Sequence, residues 1–219
     1  MSKQSVSASV IRRLPRYYRF LAELETQKVE RISSRELSER MGLTASQIRQ
    51  DLNCFGGFGQ QGYGYNVREL HAEIGKILGV MSNRPTIIVG AGNLGKAIAT
   101  HIDFTKRGFN LIGIFDSNPD LKNKKIGNLN VMLTDTLDDF CRTEKPIAAV
   151  LCIPKTAAAQ VADRLVSLGI HAFWNFSHYD LKINHSDVIV ENVHLGDSLM
   201  TLSFGLNNLN QSEDYCSPN

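Results

Sequence analysis

The stretch TIIVGAGNLGKAIA, Thr86 to Ala99, decides the fold. A short apolar run ends at Val89, and Gly90-Ala91-Gly92-Asn93-Leu94-Gly95 follows it directly. The spacing G-x-G-x-x-G between a strand and a helix places three glycines where a backbone must turn, approach a ligand and pack closely. Gly90 suits the tight turn, Gly92 the close approach of backbone to a pyrophosphate, and Gly95 the packing of helix on sheet. The unpaired amides of Asn93, Leu94 and their neighbours at the helix start then face the phosphates, with Ala91 between the first two glycines.

The spacing is weak evidence alone, and its context strengthens it. LIGIFDSNPD ends a second apolar run at Asp116, about 20 residues beyond Gly95, where a carboxylate accepts from the adenosine ribose hydroxyls. A 2′-phosphate would meet that negative charge and no arginine follows at once, so NAD(H) is expected rather than NADP(H). Further apolar runs, Leu111–Phe115, Val131–Leu133, Ile147–Ile153 and Ala172–Phe173, alternate with helical stretches such as Lys155–Leu168. Near-continuous apolar strands separated by helices predict a parallel sheet covered on both faces.

Before this α/β region lies a different segment. Leu14, Tyr17, Tyr18, Leu21 and Leu24 recur at helical spacing, and Pro15 suits a first turn, predicting a helix from about Pro15 to Thr26. Ser33 and Glu36 form a capping box, and the helix they open should stop near Met41 because Gly42 follows. Thr44 and Gln47 offer a second box three residues on, so two short helices join through Gly42-Leu43-Thr44 as a helix-turn-helix. The second, Ala45 to about Cys54, turns Ile48 and Leu52 to the core and Ser46, Gln47, Arg49 and Gln50 outward, toward base edges in a major groove.

FGGFGQQGYGYNV, Phe55 to Val67, reads as a Gly-rich hairpin whose Gln60, Gln61 and Tyr63 suit a minor groove. Helix-turn-helix followed by hairpin is the order of a winged-helix domain. Residues 1–67 carry ten basic against six acidic side chains, although the net charge of the whole chain is only +2. Arg12, Arg13 and Arg16 are expected to contact phosphates.

Arg68 to Leu78 is again helical, and Gly79 to Pro85 marks a boundary. The fold expected is α/β: a winged-helix DNA-binding domain over 1–84, then a Rossmann-like NAD(H)-binding domain over 85–219. A C-terminal helix, GDSLMTLSFGL, with Leu199, Leu202, Phe204 and Leu206, and a polar tail complete the second domain. No run approaches a membrane span and the N-terminus lacks a signal-peptide core, so a cytoplasmic protein without a membrane or a protein substrate is expected. Cys54, Cys141, Cys152 and Cys216 form no metal-ligand pattern. His101, His171, His178, His185 and His194, with Lys145 and Lys155, form no recognisable acid–base constellation, so no catalytic residue is assigned.

Eight blocks together resemble the redox-sensing transcriptional repressor family Rex. They are RRLPRYYRFL, RISSREL, TASQIRQDLNCFGGFGQQGYGYNV, IIVGAGNLGKAIA, RGFNLIGIFD, AAQVADRLVSLGI, NFS and VIVENVHL. The resemblance implies a homodimer on a palindromic DNA operator, released by NADH, with NAD⁺ competing, so that the ratio of the two forms is sensed. It implies a C-terminal helix exchanged between subunits. It also implies a coupling set whose Arg is Arg19, and whose Tyr and Asp positions are here His101 and His194. A neutral imidazole offers Arg19 one acceptor and a protonated one repels it, which leaves three outcomes open: a normal NADH switch by other contacts, a weak or absent one, or a pH-dependent one. Arg49-Gln50 replaces the family's usual Arg-Lys. Two other readings are an NAD-dependent oxidoreductase with an appended DNA-binding domain, and a repressor that binds another nucleotide such as coenzyme A.

Overall fold

The computed structural model describes residues 6–56, 59–60 and 63–214. The chain divides between Ser82 and Asn83 into two compact units.

In the first unit, helix α1 (Ala8–Thr26) buries Val10, Leu14, Tyr17, Leu21 and Leu24 along one stripe. It starts seven residues before Pro15, which lies inside the helix. A proline there removes one backbone hydrogen bond. Burial of Leu14 and Tyr17 on either side of the exposed ring, with Val10 one turn earlier, carries the helix through. The Ser7 hydroxyl caps its start by accepting from the Val10 amide.

Strand β1 (Arg31–Ile32) precedes α2 (Ser34–Met41), where the capping box forms: the Glu36 amide donates to Ser33 Oγ and the Ser33 amide to Glu36 Oε2. Gly42 ends α2 at φ +62°, a left-handed conformation that disfavours any side chain. Helix α3 (Ala45–Asn53) follows, its Thr44 hydroxyl accepting from the Gln47 amide at 3.1 Å. Strands β2 (Gly59–Gln60) and β3 (Gly64–Asn66) pair antiparallel, and β3 also pairs with β1. Helix α4 (Val67–Leu78) returns across α1, burying Leu70 and Ile74 and bringing Gly75 against the Tyr18 ring.

The second unit is a seven-stranded sheet in the order β10-β9-β8-β4-β5-β7-β6. Its strands are β4 (Arg84–Val89), β5 (Phe109–Asp116), β6 (Lys125–Ile126), β7 (Leu129–Leu133), β8 (Ala148–Leu151), β9 (Ala172–Asn175) and β10 (Ile189–Asn192). All pairings are parallel except β6 with β7. Beneath α6 (Leu137–Glu144) and α7 (Lys155–Ser167) pack Ile87, Val89, Phe115, Leu151 and Phe173. The opposite face, with Ile88, Ile114, Val131 and Val150, packs on Ile98 of α5 (Asn93–His101) and on Phe104.

That second face is covered unevenly. Beside α5 an apolar groove of about 330 Å³ runs along Phe104, Phe109, Val150, Trp174 and Ile189. Helix α8 (Leu195–Asp214) carries Leu195, Leu199, Met200, Leu202, Phe204 and Leu206, each more than half exposed.

Candidate functional site

The glycine turn is built as its spacing demands. Gly90 sits at φ +102°, and a Cβ there would lie 2.3 Å from the Cys152 carbonyl oxygen. A Cβ on Gly95 would lie 1.8 Å from the Gly90 carbonyl oxygen, so α5 can approach β4 only through hydrogen. Gly92 differs: a Cβ there would meet nothing within 4 Å. It caps α5 without any side-chain hydrogen bond, and no acid occupies the first turn. The amides that open α5 therefore face an anion-attracting space above Gly92.

Asp116 stands at the end of β5 beside this turn. Its Oδ2 accepts from the Ala91 amide at 2.6 Å and its Oδ1 from the Asn118 amide at 2.8 Å. The carboxylate thus braces the turn, and each oxygen retains a second lone pair for a hydroxyl. A cavity of about 460 Å³ opens here, lined among others by Gly92, Asp116, Thr134, Pro154, Gln160 and Arg164. The last four were not anticipated as site residues. They come from beyond β7 and β8 and from one face of α7, which only the strand order brings beside β4. Arg164 is held by Asp138, Nε to Oδ1 at 2.6 Å.

Cys152 also lines this cavity, and burial pushes its thiol up to about 12. Cys141 is raised to about 11, by burial first and by Asp138 second. Both thiols are protonated at pH 8, and the thiolate is the nucleophile. Neither is therefore expected to react with iodoacetamide in the folded chain at pH 8, whereas both should in denaturant. Peptide mass spectrometry checks this; fast modification of native Cys152 would contradict it.

The three residues of the expected coupling set divide between the units, Arg19 in the first and His101 and His194 in the second. Arg19 is exposed on α1 and His101 is exposed at the end of α5. His194, just before α8, is paired within its own unit: its Nδ1 lies 2.8 Å from Nδ1 of His178. One of these nitrogens must carry the proton and the other accept it. His178, held at φ +57°, escaped sequence reasoning because sixteen residues separate the pair.

On the first unit, Ser46, Arg49 and Gln50 are exposed on α3, while Gln47 is only half-exposed. Arg49 Nη1 donates to Ser34 Oγ at 3.1 Å. Arg13, expected to contact phosphate, is tied within its own unit. Its Nε and Nη2 donate to Asp51 at 2.6 and 2.7 Å, and Tyr17 Oη donates to the same carboxylate at 2.9 Å. Asp51 is 2 % exposed. The Asp51 carboxylate raises Arg13 further, and burial, then Asp51, raises Tyr17. A buried carboxylate demands a partner, and Arg13 supplies it from the inner side of α1. Arg16 donates Nη2 to the Met41 carbonyl at the end of α2, and Arg12 is exposed.

In the wing, Tyr63 is exposed and its carbonyl accepts from Arg31. Gln60 lies on β2, whereas Gln61 falls outside the described residues. Among the described residues no group of three His, Cys, Asp or Glu side chains could hold a metal ion, and no helix is long and apolar enough to cross a membrane.

Known proteins combine these two units. Residues 5–53 match the family model "Putative DNA-binding protein N-terminus", and residues 81–179 match "CoA binding domain". The chain is 61 % identical over 208 residues to the redox-sensing transcriptional repressor Rex of Thermoanaerobacter sp. (strain X514), covering 94 % of this chain and 92 % of that protein. It is 51 % identical to the Rex of Clostridium acetobutylicum, covering 97 % and 99 %. The chain belongs to the Rex family.

Two solved structures extend the likeness to geometry. "RSP in complex with beta-NAD+ and operator DNA" superposes with a TM-score of 0.87 at 58 % identity, covering 96 % of each chain. "RSP in complex with beta-NADH" gives 0.87 at 55 %, covering 97 % of this chain and 99 % of that one. Membership in the Rex family makes this chain a redox-sensing, DNA-binding repressor, a regulator with a winged-helix unit and a Rossmann-like unit.

Proposed function

We propose that this protein represses transcription from the cytoplasm as a homodimer on a palindromic operator, and that NADH, but not NAD⁺, releases it. The observation that carries the nucleotide half is the cradle at Gly92, the one glycine of the turn with open space where a Cβ would stand. Amides at the start of α5 flank that space, and Asp116 closes it on the ribose side. A dinucleotide supplies the pyrophosphate and ribose hydroxyls that these groups fit.

The dimer half rests on the apolar face of α8 and the groove beside α5. Exposed apolar area of that extent marks an interface. A second copy provides both surfaces at once, by exchanging its α8. Light scattering is expected to give about twice 24.4 kDa.

The decisive experiment is fluorescence anisotropy of a labelled palindromic operator, titrated with NADH and with NAD⁺ at fixed salt, since phosphate contacts make affinity salt-dependent. Release by NADH alone is the expected result; indifference to both forms would overturn the sensing role. The pairing of His194 with His178 places a hydrogen-bonded imidazole where the resemblance implies a carboxylate. His194→Asp is therefore expected to enlarge the NADH effect on DNA affinity severalfold. An unchanged effect would remove His194 from the switch.

A further inference from the structure

Three side chains of α3 are buried: Ile48, Asp51 and Leu52. They define its inward direction. With about 100° between successive residues of an α-helix, the opposite direction is shared by positions 46, 50 and 53. Ser46, Gln50 and Asn53 occupy them, and all three are exposed. Gln47 lies on one flank, half-exposed, and Arg49 on the other.

Arg49 is also turned aside. Its guanidinium donates to Ser34 at the start of α2, and its charge is felt by Tyr65 on β3, where it opposes the rise that burial imposes on the phenol. Its hydrogen bond ties it to the start of α2, beside the outward stripe. Reading guanine requires two parallel N–H groups of one guanidinium edge to lie in the plane of the base. A phosphate requires only positive charge and any available donor.

We infer that Arg49 anchors a DNA phosphate, together with the Ser34 hydroxyl, and that Ser46, Gln50 and Asn53 read the base edges. This rests on the DNA-binding reading above. It assigns sequence preference to neutral side chains, with the Gln50 and Asn53 amides suited to adenine. The arginine gives affinity and register.

The test is selection of duplexes from a random-sequence library by the full chain and by Arg49→Ala, Arg49→Lys and Gln50→Ala, followed by affinities on the wild-type winner over a range of salt. Arg49→Ala is expected to select the same sequence as wild type and to bind all duplexes more weakly by a common factor. The slope of log K against log salt should fall by about 0.9 per subunit. Arg49→Lys should keep the wild-type slope. Gln50→Ala should keep the slope and lose preference at one base pair of each half-site. If Arg49→Ala and Arg49→Lys both relaxed preference at one base pair, with the slope of Arg49→Lys unchanged, Arg49 would be a base reader and the inference overturned. Failure of the wild-type chain to select any duplex would instead strike the DNA-binding reading itself, and this inference with it.

Discussion

Gly92→Ala is expected to weaken NADH binding by about 100-fold, roughly 2.7 kcal/mol, while leaving the stability of the second unit within about 0.5 kcal/mol of wild type. The two parts of this expectation have separate causes. The added methyl meets no protein atom within 4 Å, so the folded chain accommodates it. It projects into the space over which the α5 amides reach their anion, and charge-assisted hydrogen bonds of this kind contribute about 1.5–3 kcal/mol each. Gly95→Ala should behave in the opposite way. Its methyl would stand 1.8 Å from the Gly90 carbonyl oxygen, a backbone atom, so α5 must leave β4 or the turn must open. A loss of more than about 3 kcal/mol is expected there. Trp174 is the sole tryptophan and lies on β9, so its fluorescence in urea reports unfolding of the second unit for both variants. NADH binding is measured separately by calorimetry. Equal affinity of wild type and Gly92→Ala for NADH would show that the pyrophosphate does not lie over this turn.

The second large effect concerns the first unit. Arg13→Ala is expected to destabilise it by about 3 kcal/mol and Asp51→Ala by about 2 kcal/mol, an order that follows from burial. Removing Arg13 strands a carboxylate whose side chain is 3 % exposed, with the Tyr17 hydroxyl as its remaining side-chain donor among the described residues. Removing Asp51 leaves an arginine whose side chain is 23 % exposed, which can turn part of its charge to water. The double variant should cost less than the sum of the two. Hydrogen exchange of the α1 and α3 amides measures the losses locally. Arg12→Ala provides the contrast: a phosphate contact lowers DNA affinity and the salt slope without moving stability. Stability of Arg13→Ala equal to wild type, with DNA affinity reduced, would restore Arg13 to the phosphate-binding set.

These variants separate what was legible in the chain from what was not. The glycine turn, the Ser33–Glu36 box, the stop at Gly42 and the inward Ile48 and Leu52 were all readable. Each depends on a backbone conformation or a periodicity expressed within a few residues. Pro15 misled for the complementary reason. A local preference to begin a helix was outweighed by the burial of Val10 and Leu14. Arg13 was legible as a charge, and its role was not, because Asp51 lies 38 residues away. The two-residue strand β6 is too short to show a pattern, and it is defined by its neighbour in the sheet.

The amino-acid sequence by itself determined that a dinucleotide turn and a helix-turn-helix coexist in one chain, since glycine and capping residues act on the backbone next to them. Only the tertiary structure decided which cation meets Asp51 and which histidine meets which, and how the ends of β7 and β8 complete the cavity beside Gly92. Those outcomes turn on burial and on strand order. A carboxylate withdrawn from water takes the nearest cation in space, and adjacency in a parallel sheet is set by crossover connections rather than by distance along the chain.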